Sequence, residues 1–173
     1  MAILKQEIEK SGFLKKALEV RKSPSHSADE HNLEFVAQIN GASYINDSIS
    51  FSVATTKRSL ESFETNVILI IGGFDINTDY SLLSEVIKKK VVAVIYLGKE
   101  TEKIVQHSKS DQSMLFVSAT SLQQAIQAAY FHAIPGDVVL FSPACSSGKE
   151  YADYKIRGTE YKRLVNELTH KKD

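Results

Sequence analysis

Residues 67–73 read Val-Ile-Leu-Ile-Ile-Gly-Gly, and the way this stretch is buried decides the fold. A strand with one face in water alternates apolar and polar residues, whereas a strand covered on both faces is apolar at every position. Val67 to Ile71 contains no polar residue, so it predicts a strand sandwiched between two layers. The two glycines that follow permit a tight turn at its end.

Working outward, the same kind of run recurs as VVAVIYLG (91–98), MLFVSA (114–119) and Asp137 to Ser142. Segments with helical spacing lie between these runs. Val53 to Phe63 places Val53, Leu60 and Phe63 on one face, and residues 80–89 and 100–108 predict two further helices. Ser121 to Ile134 sets Leu122, Ala125, Ile126, Ala129 and Tyr130 on one side, and a last helix fills most of 149–169. Upstream, Leu33 to Gln38 and Ala42 to Asn46 flank Ile39-Asn40-Gly41, and Asn-Gly between strand-like runs predicts a hairpin. Buried strands alternating with amphipathic helices define an α/β fold: a doubly wound, mostly parallel sheet of about six strands, Rossmann-like, with an antiparallel hairpin at its N-terminal edge. Ligands of such sheets bind beyond the carboxyl ends of the strands. That rule selects the loops at 47–52, 72–79, 98–100 and 143–150.

Residues 1–20 carry Ile3, Leu4, Ile8, Phe13, Leu14 and Leu18 at roughly helical spacing with a break at Gly12. Residues 21–31, RKSPSHSADEH, have the Ser, Pro and charge content of a linker. The expected organisation is an N-terminal helical segment and linker over 1–31 and one compact domain over 32–173. A chain of 173 residues, 43% hydrophobic, suits one well-packed core.

Composition excludes several function classes. The 21 basic and 21 acidic residues balance, so the chain has no phosphate-neutralising footprint and no nucleic-acid partner is expected. Its apolar runs are strand-length, and the expectation is no membrane partner. The lone cysteine, Cys145, cannot form an internal disulfide, and no secretory signal is visible, so the expected location is the cytoplasm. Neither G-x-G-x-x-G nor a P-loop occurs. The histidines His26, His31, His107, His132 and His170 lack metal-ligand spacing, and no metal ligand is expected. Cys145 has no base supplied by its surroundings in sequence and reads as a small packed thiol. In Ser142-Pro-Ala-Cys-Ser-Ser-Gly148, the hydroxyls of Ser146 and Ser147 could hold a carboxylate or phosphate near a helix start. The same loop also reads as an ordinary strand-to-helix connection with a serine cap.

Several segments taken together resemble one family. LEFVAQINGASYINDS (33–48), VILIIGGFDINTDY (67–80), VVAVIYLG, PGDVVLFSPACSS (135–147) and Tyr154-Lys155-Ile156-Arg157-Gly158 stand in the order found in the C-terminal domain of Mur ligases, the D-glutamate-adding branch in particular. The resemblance implies ATP-dependent amide formation. In the family a central domain holds ATP and magnesium, and the C-terminal domain receives D-glutamate and closes over the nucleotide. The partners implied are D-glutamate, a UDP-muramoyl-peptide and an ATPase domain of the same or another chain. The chain alone is expected to be inactive, with no catalytic residue of its own. By position, Ser147, Gly148, Tyr154, Ser48 and Phe51 fall where the family meets substrate, and Asp47 and Asn32 where it meets nucleotide.

The chain also departs from the family pattern. Asn32 stands in place of an arginine, Ile49 and Phe51 in place of lysine and threonine, and Ile76 in place of a lysine. These losses raise a second reading, a non-catalytic homologue serving as a binding or scaffold module. A third, an unrelated nucleotide-binding α/β domain, rests on the fold pattern alone.

Overall fold

The computed structural model describes residues 29–64, 66–72, 79–98, 114–148 and 150–170. The chain runs β1 (Glu34–Ile39), β2 (Ala42–Asn46), α1 (Val53–Glu61) and β3 (Val67–Gly72). A 3-10 turn (Ser81–Leu83) leads into α2 (Ser84–Lys90), followed by β4 (Val91–Leu97), β5 (Leu115–Ala119), α3 (Leu122–His132), β6 (Val138–Phe141) and α4 (Tyr154–His170). The helices expected within 1–20 and at 100–108 lie outside the described residues, as do most of the 72–79 loop and Ile76.

The described strands form one sheet in the order β1-β2-β6-β3-β4-β5. Only β1 and β2 pair antiparallel; the other neighbours are parallel. This is the doubly wound sheet with an edge hairpin that the alternating runs predict. Strand β3 shows why its sequence is apolar throughout. Ile68 and Ile70 enter one core with residues of α3 and α4, while Val67, Leu69 and Ile71 enter the other with residues of α1 and α2. The helix that follows β3, α2, packs on one face of the sheet, and the helix that follows β6, α4, packs on the other. Neighbouring strands whose continuations leave on opposite faces open a crevice at their carboxyl ends.

Local sequence accounts for the element ends. In the hairpin, Asn40 (φ 51°) and Gly41 (φ 82°) both take positive φ, as a two-residue type I′ turn requires. A bulge between Phe35 and Ala37 interrupts the alternation of β1, leaving Phe35 exposed while Val36 and Ala37 both reach the core. Ser52 and Thr55 form a reciprocal capping box on α1, and Ser121 caps α3. Two expectations are corrected. Tyr130 is 36% exposed, at the margin of the buried stripe of α3 rather than within it. The last helix, Tyr154–His170, does fill most of 149–169, but the Asp153 carboxylate accepts from the Ile156 amide, where a serine of the preceding loop was the expected cap. Among the described residues no helix is long and apolar enough to cross a membrane.

A Cβ added at Gly41 would lie 2.9 Å from the Cβ of Pro135 and would require an L side chain at positive φ. Gly41→Ala is expected to destabilise the fold by about 1–3 kcal/mol, read as a lower urea midpoint at unchanged slope.

Candidate functional site

The crevice at the sheet's carboxyl edge is lined by Gly72, Leu97, Gly98, Thr120, Leu122 and Phe141, the ends of β3 to β6 and the start of α3. Ser147, Glu150, Tyr151 and Arg157 complete it from the segment leading into α4. Gly72 (φ 99°) and Gly98 (φ 81°) turn the chain sharply where β3 and β4 end. The Gly72 amide donates to the Pro143 carbonyl (2.9 Å), tying the end of β3 to the loop after β6. Burial, reinforced by repulsion from Glu150, pushes the Tyr151 phenol above its ordinary value and keeps it a neutral donor.

Beside this crevice, the loop after β2 is held by buried polar contacts. Asp47 is fully buried. Its Oδ2 accepts from the hydroxyls of Ser50 and Ser142 (both 2.7 Å), and its Oδ1 accepts from the Leu33 amide (3.2 Å). Burial raises the carboxyl's pKa, while the hydroxyls of Ser59, Ser50 and Ser142 and the Leu33 amide counter part of that shift. Thr56 of α1 joins through Ser142 (2.8 Å), so a helix, two strand ends and the residue before β1 meet at one carboxylate.

The chain entering β1 is fixed just as tightly. His31 is 4% exposed and takes a positive φ of 72°. The side-chain nitrogen of Asn46 reaches both Glu34 Oε2 and His31 Nδ1 (3.0 Å each), and its Oδ1 accepts from the Ser48 amide (3.2 Å). A carboxylate on one end and an amide on the other orient this side chain, so its nitrogen donates and His31 Nδ1 accepts. That imidazole is neutral at Nδ1. Burial and Lys162 push its pKa below the ordinary value, against the pull of Glu30 and Glu34. Lys162 of α4 closes the network on Glu30 (2.6 Å) and Glu34 (3.2 Å).

Helix α4 reaches both loops through Arg157 and Gly158. Arg157 is 4% exposed. Its Nη1 donates to the carbonyls of Cys145 (3.2 Å) and Ser146 (2.8 Å), and its Nη2 to those of Ser48 (2.9 Å) and Cys145 (3.2 Å). Gly158 lies so close to the loop that an added Cβ would sit 2.1 Å from Ser48 Oγ and 2.2 Å from His31 Nδ1.

The residues singled out from sequence divide accordingly. Ser147 lines the crevice, next to the exposed Gly148 (φ 70°). Tyr154 is half-buried and meets the His31 ring edge-on, centroids 5.9 Å apart, while Tyr151 is the aromatic residue lining the crevice. Ser48 is fully buried, its hydroxyl without a hydrogen-bond partner among the described residues. Phe51 is 63% exposed and Asn32 is exposed. Asp47 presents no open face, so a ribose hydroxyl would have to displace Ser50 or Ser142 to reach it. Among the described residues no group of three or more His, Cys, Asp or Glu side chains is arranged to hold a metal ion. Sequence reasoning missed Tyr151, Thr120 and Arg157. The Tyr-Lys-Ile-Arg-Gly motif contained Arg157 without indicating its burial.

An open, mostly parallel sheet with a crevice at its switch point defines a doubly wound α/β domain. A family model described as "Mur ligase, glutamate ligase domain" matches residues 33–145, and the chain belongs to that family. It is 41% identical over 144 residues to the UDP-N-acetylmuramoylalanine--D-glutamate ligase of Acidobacterium capsulatum, covering 83% of this chain and 30% of that protein. It is likewise 41% identical over 138 residues to the enzyme of the same name from Cytophaga hutchinsonii, covering 80% and 30%. The chain thus spans about 30% of the length of these relatives. Among solved structures, a murein peptide ligase from Psychrobacter arcticus aligns with a TM-score of 0.56 at 13% identity, covering 80% of this chain and 30% of that one. The UDP-N-acetylmuramate-alanine ligase of Thermotoga maritima aligns with a TM-score of 0.56 at 10% identity, covering 90% and 36%. At those identities the structural likeness speaks to the fold alone.

Two outcomes follow from the packing around His31. Gly158→Ala is expected to cost about 1–3 kcal/mol by overpacking, measured by chemical denaturation. Because the folded protein holds His31 below its ordinary pKa of 6.5, the unfolded chain binds the proton more readily. The stability that the neutral imidazole contributes is complete above that value and is lost as pH falls through the folded pKa. Melting temperature should therefore fall more steeply below about pH 6.5 in the wild type than in His31→Gln; parallel curves would contradict this.

Proposed function

We propose that this chain is the substrate-receiving C-terminal domain of a Mur-type, ATP-dependent peptidoglycan-precursor ligase that adds D-glutamate to UDP-N-acetylmuramoyl-L-alanine. The observation that carries this reading is the family match over residues 33–145 together with a crevice at the switch point that contains Ser147. The domain alone is inactive. ATP and magnesium belong mainly to a central ATPase domain, consistent with a buried Asp47 that offers no open ligand face. In this reading the compact domain begins at residue 32, and the protein works in the cytoplasm on UDP-linked precursors.

The contribution of such a domain is orientation. An amine reacts with an activated carboxylate when the two are held in line and water is kept out, and closure of one domain over another supplies both. Ser147 donates to a carboxylate of the incoming amino acid, Gly148 lets the backbone approach it, and Tyr154, Ser48 and Phe51 shape the surrounding loops. Asn32 lies toward the nucleotide edge, and Asp47 acts there through the loop it holds. The exposed Phe51 and the half-buried Ile49, at positions where the resemblance expects threonine and lysine, favour a second reading: a non-catalytic homologue that keeps the scaffold as a binding module.

Isothermal titration separates the two readings. Millimolar D-glutamate should give saturable heat with the wild type. Ser147→Ala should weaken binding about tenfold, the loss of one charge-assisted hydrogen bond of about 1.5 kcal/mol. Absence of heat with the wild type, together with its appearance in Ile49→Lys, would favour the non-catalytic reading.

A further inference from the structure

We propose that Arg157 is a positioning residue. It registers the loop after β2 against the loop after β6, and so fixes where Ser147 stands relative to the Asp47–Ser50 turn. The inference deepens the reading of the crevice as the amino-acid site and rests on it for its functional meaning.

The geometry is specific. Among the described residues Arg157 has no carboxylate partner; its guanidinium is met by the backbone carbonyls of Ser48, Cys145 and Ser146. These carbonyls belong to two loops almost a hundred residues apart in sequence. The forked, planar guanidinium presents donors to both loops in a fixed geometry, whereas a lysine ammonium offers three rotatable donors from a single point. Burying a cation against carbonyl dipoles alone costs desolvation, and a well-packed apolar side chain would often stabilise a fold as well or better. What the apolar side chain would lack is directional control over where the two loops stop. Gly158 serves the same purpose on the next residue, because the absence of a Cβ lets α4 lie directly against Ser48 and His31. Arg157 also lines the crevice, so the strut that joins the loops forms part of its wall. Both terminal nitrogens are committed to loop carbonyls, while the buried Nε has no hydrogen-bond partner among the described residues.

Amide hydrogen exchange tests this independently of any ligand. The Ile49 amide donates to the His31 carbonyl (3.2 Å) and the Ala144 amide to the Ser50 carbonyl (3.1 Å), so both report on the joined loops. In Arg157→Gln, exchange at Ile49 and Ala144 should accelerate at least about tenfold, a local opening easier by roughly 1.4 kcal/mol, while amides in the centre of β3 and β4 keep their protection. Arg157→Lys, which retains the charge, should loosen the same two amides. Unchanged exchange at both amides in both variants overturns the proposal. If neither variant folds, the wild type decides: its Arg157 Nη hydrogens should give separate, slowly exchanging resonances, and one averaged signal overturns the proposal. D-Glutamate titration is read separately. A wild type that binds none would refute the functional reading and leave the exchange result for the loops standing. Loosened loops with wild-type D-glutamate affinity would refute the positioning role.

Discussion

Strand β6 is the last strand of the sheet to appear in the sequence, and it hydrogen-bonds β2 on one side and β3 on the other. The sheet closes only when this four-residue strand, buried at every position, occupies that slot. Its insertion reverses the order in which strands are laid down in the parallel sheet: the helix that follows β3 packs on one face and the helix that follows β6 on the other. The crevice, its glycine-turned rim and the position of Ser147 follow from that reversal. Because β6 also pairs with β2, it brings Ser142 against Asp47. The central pairing that completes the core therefore also completes the polar cluster.

Two buried charges then hold the loops, each by a different solution to the same cost. A buried carboxylate or guanidinium loses hydration worth several kcal/mol unless dipoles replace the water. Asp47 is compensated by hydroxyls and an amide, Arg157 by carbonyls, and the two lie on neighbouring segments without pairing with each other. Each adds side-chain contacts between loops that continue from paired strands. The Ser48 and Ser147 loops thus rest on a buried polar layer, with Phe51 left exposed.

Much of the fold was legible in the sequence because burial on two faces leaves no room for polar residues. The runs at 67–71 and 138–141 are buried at every position, whereas Val92 in the run 91–97 is exposed despite its apolar side chain, and Asn40-Gly41 marks a tight turn. Boundaries were less legible where tertiary contacts set them. The start of α4 depends on Asp153 as cap, and Tyr130 sits at the margin of a helical stripe where a periodic pattern does not separate buried from exposed. The site was legible only in part. Ser147 was singled out by the resemblance, since the small-residue loop by itself reads equally as an ordinary serine-capped connection, and it stands in the wall of the crevice. Arg157 and His31 were not given their roles, since arginine and histidine on a helix or in a linker read as surface residues. Their partners are distant in sequence, Ser48 for Arg157 and Asn46 for His31, and only the closed sheet brings them together.

The central claim is that this domain receives the amino acid of a ligation completed by domains like those of its longer relatives. The most direct measurement joins the chain to the N-terminal and central domains of the Acidobacterium capsulatum relative and follows phosphate release from ATP in the presence of UDP-N-acetylmuramoyl-L-alanine. The account predicts release that depends on D-glutamate and falls when Ser147 is replaced by alanine. A folded fusion whose phosphate release is indifferent to D-glutamate would contradict it.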